Sequence, residues 1–238
     1  MFGLLHNHTL VFQDSRPVGG GVTSFSFAPE RPFEWRAGQH GVLWAGGLVR
    51  KAFSVASAPE EGRVVIGTSV QSGSSFKQRL AALRPGDQVG FRGPVNQTFN
   101  LDRAAPRVVL LAQGVGITPL RAMLAHAALA GLNLESSLIH VAPDGHAYRD
   151  ETQQWATSAE YPQHAADFQA AATVAAKITP DATFFIAGAP QFVSSTASLL
   201  RESGVAGASI RTDKYLGYKP RPQATPAVVP AGIAAPIS

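Results

Sequence analysis

The run Val108-Val109-Leu110-Leu111-Ala112 contains no polar residue. Two positions later come Gly114-Val115-Gly116, and Thr118-Pro119 follow at once. A continuous apolar run suits a strand covered on both faces, as in a parallel sheet flanked by helices. The turn after it must be tight, and the next segment has a helix-opening signature: Thr118 is expected as cap and Pro119 fits the first turn, where no amide donor is needed. Glycines let a ligand approach the backbone closely, and a helix N-terminus offers free amides and a positive dipole to a phosphate. The third glycine of the usual dinucleotide fingerprint is missing, so the segment is not the common Rossmann type.

The segments beyond this turn alternate as such a sheet needs. The patterns predict a helix at Pro119–Ala130, a strand at Ser137–Val141, a helical region at Glu151–Ala156 and a helix at Phe168–Ile178. A strand at Thr183–Ala187, a helix at Gln191–Ser203 and a strand at Ser209–Thr212 complete a doubly wound α/β domain. The first hundred residues read differently. Short runs at Leu10–Asp14, Thr23–Phe27, His40–Trp44, Lys51–Ala56, Arg63–Ser69 and Gln88–Arg92 are separated by Gly- and Pro-rich breaks. Thr23–Phe27 alternates polar and apolar, as a half-buried strand does. This predicts a small antiparallel β-barrel, interrupted by one helix over Ser75–Leu83 with Ser74 or Ser75 as cap. At 238 residues the chain has room for two small domains. The expected boundaries are 1–104 for the barrel, 105–220 for the α/β domain, and 221–238 for a flexible Pro/Ala-rich tail.

Composition removes several function classes. With no cysteine, there is no disulfide framework, thiolate zinc site, thiolate-held iron–sulfur cluster or Cys nucleophile. The net charge of +4 is scattered, with no basic stripe, so a nucleic-acid partner is not expected. No apolar run approaches the roughly 18 residues of a membrane span, and the N-terminus lacks a secretory pattern. A cytoplasmic location is expected. The seven histidines show no convincing metal spacing, and no metal site is assigned.

Two further segments carry chemistry. In Arg50-Lys51-Ala52-Phe53-Ser54 a cation, an aromatic ring and a hydroxyl lie along one strand, with residues 51 and 53 on one face and 52 and 54 on the other. In Gly73-Ser74-Ser75-Phe76 a small-residue turn opens a short helix. Together with Gly114–Pro119 and the late Gly188-Ala189-Pro190, their order resembles the ferredoxin–NADP reductase superfamily of flavoproteins over about residues 5–218.

The resemblance implies FAD on the barrel, with Lys51 at the diphosphate, Phe53 on the isoalloxazine and Ser54 as the catalytic hydroxyl near the reactive nitrogen. It also implies Gly73, Ser74 and Ser75 at the diphosphate. Gly114, Gly116, Thr118, Pro119, Gly188 and Pro190 would meet NADH or NADPH, and Tyr215 or Tyr218 would cover the flavin. Hydride would pass from nicotinamide to flavin, and electrons would then leave to a separate acceptor: a ferredoxin, an oxygenase or haem partner, a ferric chelate or a free flavin.

The chain departs from the family at Lys51, where relatives have Arg, and at Ala187, where they have Cys. Register favours Lys51 over Arg50 for the diphosphate, whereas guanidinium chemistry favours Arg50. In the loop 142–149, Asp144 would repel a 2′-phosphate and His146 or Arg149 would attract one, which leans toward NADH. Two rival readings are a flavin module without nicotinamide turnover, and a basic interaction domain on the same scaffold without flavin.

Overall fold

The computed structural model describes residues 6–46, 49–70, 74–95, 99–102 and 104–215. Gly73, Tyr218 and the 221–238 tail lie outside the described residues. Six strands form the first domain: β1 (His6–Pro17), β2 (Thr23–Pro29), β3 (His40–Trp44), β4 (Lys51–Ser54), β5 (Val64–Thr68) and β6 (Gln88–Val95). They pair antiparallel in the order β4-β3-β6-β1-β2-β5. The sheet curls until its two edges nearly meet, where the Ala56 amide donates to the Val65 carbonyl at 2.7 Å. Leu10, Phe25, Phe27, Leu43, Ile66 and Phe91 fill the interior. The short helix α1 (Ser75–Ala81) plugs one end with Phe76 and Leu80, and its cap is Ser74, whose hydroxyl accepts from the Lys77 amide.

The second domain is a parallel sheet. Its elements are β7 (Arg107–Gln113), α2 (Ile117–Leu129), β8 (Glu135–Val141), α3 (Arg149–Trp155), β9 (Ser158–Glu160), α4 (Ala165–Ile178), β10 (Thr183–Gly188), α5 (Pro190–Glu202) and β11 (Ile210–Lys214). The strand order is β11-β10-β7-β8-β9. Alternate residues of β7 face opposite layers. Val109 and Leu111 pack with Phe168, Ala172, Val193 and Leu200 of α4 and α5, and Leu110 and Ala112 pack with Ile117, Leu120 and Met123 of α2. No helix among the described residues is long and apolar enough to cross a membrane.

One apolar cluster crosses the junction, joining Val22, Ala37, Val65 and Phe99 to Leu120, Met123 and Phe185. The β2 pattern is corrected accordingly. Ser24 and Ser26 were expected to face water, but both are buried, lining a narrow cavity with Arg121 and Tyr148 of the second domain. The strand predicted to reach Ala56, β4, ends at Ser54: the Val55 amide still bonds the Gln39 carbonyl just before β3, but the Ala56 amide turns to the Val65 carbonyl of β5. Thr118 is not the cap of α2. That position is Gly116, and the Thr118 hydroxyl donates back to the Val115 carbonyl at 3.0 Å.

Candidate functional site

In the parallel sheet β7 neighbours both β8 and β10, and the chain leaves β7 for β8 before returning to β10 on the other side. The order therefore reverses between β7 and β10, and a crevice opens beyond their carboxyl ends, the place where such sheets bind ligands. Two of the sequence-predicted segments stand there. Gly114–Gly116 forms a single tight turn between β7 and α2, with Gly114 at φ 52°. Gly116 lies flat against the end of β10, so that a Cβ there would sit 2.2 Å from the Ala187 carbonyl oxygen. Gly188 and Pro190 form the opposite lip, at the end of β10 and the start of α5. Pro119 is buried in the first turn of α2. The Oε1 of Gln113, the last residue of β7, is buried without a hydrogen-bond partner among the described residues.

The barrel reaches this crevice with Ser54, the last residue of β4, which is 7% exposed. Ser54 Oγ lies 2.9 Å from the Tyr215 hydroxyl, and that hydroxyl lies 2.9 Å from Thr118 Oγ1. Because Thr118 gives its own proton to Val115, it accepts from Tyr215. The Ser54 proton is then shared between the Tyr215 oxygen and Asp213 Oδ2, 3.4 Å away. Tyr215 is held in place by its amide, which donates to the Gly188 carbonyl at 2.9 Å, and Asp213 by the pairing of β11 with Ala187. Burial raises the Asp213 carboxyl above the usual range, although His40 and the Ser54 hydroxyl act against it. Burial and the neighbouring Asp213 charge raise the Tyr215 phenol as well.

On the other side of β4, Lys51 and Phe53 share a face turned toward α1, where Phe53 stacks on Phe76 with ring centroids 5.6 Å apart. Lys77, in the first turn of α1, faces Lys51. Burial first, and the Lys51 charge second, lower its pKa. No salt bridge among the described residues includes either lysine. Two half-buried cations beside the exposed Ser75 and the Ser74 cap suit a diphosphate. Arg50 lies before the strand, exposed, with its guanidinium over the Trp44 ring at 5.5 Å. The β3–β4 ladder pairs Leu43 with Lys51 and Gly41 with Phe53, with no register shift.

The loop after β8 is asymmetric. His146 turns inward, with Nε2 3.0 Å from the Pro162 carbonyl, and cannot meet a ligand phosphate there. Asp144 stays exposed, and the Arg149 guanidinium covers the Tyr161 ring at 4.8 Å. Among the described residues no group of three His, Asp or Glu could hold a metal ion.

Sequence reasoning missed Asp213, Lys77 and Arg121. The signal for Arg121 was present, since it is the only charge in the fully buried stretch Ile117–Ala125. Its guanidinium bonds Glu61 and the Ala56 carbonyl of the barrel and Glu151 of α3, and it lies against the Tyr148 and Trp155 rings. It ties the two domains together directly behind the crevice.

No protein-family model matches the chain. Among curated proteins it is similar to ferredoxin–NADP reductase B of Sorangium cellulosum, 35% identical over 123 residues, which are 49% of this chain and 50% of that one. It is also similar to tetrachlorobenzoquinone reductase of Sphingobium chlorophenolicum, 32% identical over 148 residues, 60% of this chain and 45% of that one. The matched segments span only 28–50% of the length of these curated relatives. Among solved structures, the ferredoxin reductase in carbazole 1,9a-dioxygenase has the same fold, with a TM-score of 0.75 at 17% identity, covering 90% of this chain and 71% of that one. In sequence the chain is thus similar to a ferredoxin–NADP reductase and to a quinone reductase, and it shares the two-domain fold of the ferredoxin reductases.

Proposed function

We propose that the protein is an FAD-dependent NAD(P)H oxidoreductase that passes electrons to a separate acceptor. The observation that carries this reading is the meeting of Ser54 of the barrel and Thr118 of the α/β domain on one oxygen, that of Tyr215. A barrel-bound ring and a crevice-bound dinucleotide would meet at that point. The cofactor, when bound, supplies the redox chemistry. Ser54 presents a hydroxyl at the junction, Thr118 and Tyr215 hold the two walls together, and the apolar seam behind them excludes water. Lys51 and Lys77 supply the charge that a diphosphate needs.

The protein is expected to purify yellow, to release FAD on denaturation and to bleach on anaerobic addition of NADH. Colourless protein that takes up no added FAD would end the reading. Yellow protein that NADH does not bleach would favour the flavin module without nicotinamide turnover, a rival that Ala187 supports. Because Asp144 is exposed in the coenzyme loop while His146 is turned away and the Arg149 guanidinium lies over the Tyr161 ring, NADH is the proposed donor over NADPH. The acceptor class is proposed from the names of the relatives: a ferredoxin, a quinone or an oxygenase partner.

The regular β4 register makes Lys51 the proposed diphosphate ligand. Lys51→Ala is expected to weaken FAD binding roughly tenfold to a hundredfold, the loss of one charge-assisted contact. Arg50→Ala is expected to leave it within about twofold, as for an exposed cation that makes no salt bridge among the described residues. Titrating FAD into the two apoproteins checks this, and the reverse ranking would reject the assignment.

A further inference from the structure

We infer that His140 is a positioning residue that sets the dinucleotide-binding turn by fixing the Gly114 carbonyl. The inference rests on the dinucleotide reading of the crevice. His140 sits near the end of β8, is 0% exposed, and is paired with Ala112 of β7. It shares the face of Leu138, under the layer of α2, where the turn passes from β7 into the helix. The small Ala112 beside it leaves room for the ring to reach the turn. Nε2 lies 2.9 Å from the Gly114 carbonyl oxygen. Because that acceptor has no proton to give, Nε2 must carry the hydrogen. Burial, outweighing the Gly114 bond, pushes the His140 pKa down to about 3, so the ring is neutral and keeps this single tautomer. Nδ1 is buried and has no hydrogen-bond partner among the described residues, so the Nε2 bond is the ring's polar anchor there. His146 packs edge-on at 5.1 Å and closes the other side.

Peptide geometry carries this contact to the ligand side of the turn. The Gly114 carbonyl accepts from His140 and from the Ile117 amide. In a trans peptide the carbonyl and the next amide point in opposite directions. Holding the Gly114 oxygen toward β8 therefore turns the Val115 N–H away from it, as a donor for the diphosphate of the dinucleotide. Gly116 is pressed against β10 on the opposite side, so the turn is fixed from both flanks.

The test uses the flavin-loaded protein and NAD⁺, with binding read by calorimetry and stability by thermal melting. His140→Phe keeps a ring and removes the donor. His140→Gln places an amide N–H near the former Nε2. His140→Phe is expected to weaken NAD⁺ binding about fivefold to tenfold, the loss of one buried hydrogen bond. FAD affinity should not change, and in turnover KM for NADH should rise with kcat held. His140→Gln should recover most of the loss. Wild-type affinity in His140→Phe, or equal losses in the two variants, would overturn the inference. So would failure of both variants to fold, which would make the ring a core filler. If wild-type protein binds no NAD⁺ at all, the dinucleotide reading itself fails, and this inference with it.

Discussion

Replacing Arg121 with methionine is expected to cost about 3–5 kcal/mol of folding stability, the range for removing one partner of a buried ion pair. The methionine fills much of the volume, so the loss is electrostatic. The Arg121 side chain is 5% exposed, and the Glu61 carboxylate it pairs with is 10% exposed. Without the guanidinium, Glu61 keeps its bond from the Ala58 amide but no cation among the described residues, Glu151 loses one of two arginine partners, and the Ala56 carbonyl loses a donor. Urea unfolding with an unchanged slope measures the loss. The double variant Arg121→Met with Glu61→Gln should recover part of it, because the stranded charge is gone. A loss below about 1 kcal/mol would mean that the cluster is solvated and behaves as a surface pair.

The pH dependence separates the charge cluster from simple packing. Burial acts to raise the Glu151 carboxyl, but the Arg121 and Arg16 guanidinium groups together hold it below the ordinary range. A folded-state pKa below the unfolded one contributes stability above the unfolded value, and that contribution is lost as pH falls through the lower folded value. Wild-type protein should therefore lose stability from just above the ordinary glutamate pKa of about 4.3 downward. Arg121→Met should show a shallower acid slope, since the carboxyl then titrates closer to its unfolded value.

How far the sequence discloses the molecule depends on which faces are buried. Val108–Ala112 and Thr183–Ala187 are legible because both faces of each strand are covered, so every position is apolar or small. The short edge strand Ser158–Glu160 has one neighbour and half-open faces, and it leaves no apolar signal. The two ends of β1 are paired yet exposed, so the strand runs from His6 to Pro17 when its apolar pattern marks only the middle. At the site, the glycines are legible because turns and close approaches demand them. Thr118 is misread because a local capping rule competes with a partner 97 residues away, the Tyr215 hydroxyl. Asp213 is invisible for the same reason, since only the pairing of β11 with β10 brings it beneath Ser54.

Gly116→Ala is expected to destabilise the fold by about 1–3 kcal/mol, as overpacking does, and to lower flavin reduction by NADH at least about tenfold. From sequence alone, a bulky residue here is expected to block the dinucleotide and leave the flavin domain undisturbed. The structure changes the mechanism. An added Cβ points not into open crevice but at backbone: 2.2 Å from the Ala187 carbonyl oxygen, 2.7 Å from its carbon and 3.0 Å from the Gly188 nitrogen. Backbone in a paired central strand cannot step aside as a side chain can, so the turn must lift off β10. Thr118 is two residues further on and would be drawn away from the Tyr215 hydroxyl, which loosens the junction with Ser54. FAD affinity should fall by less than NAD⁺ affinity, because Lys51 and Phe53 face α1 and do not touch the turn. Gly207→Ala is the control: its nearest neighbour is the flexible Arg201 side chain at 3.9 Å, so it should melt and turn over like wild type. If Gly116→Ala matched that control in both stability and reduction rate, the packing of the turn against β10 would not be what shapes the crevice.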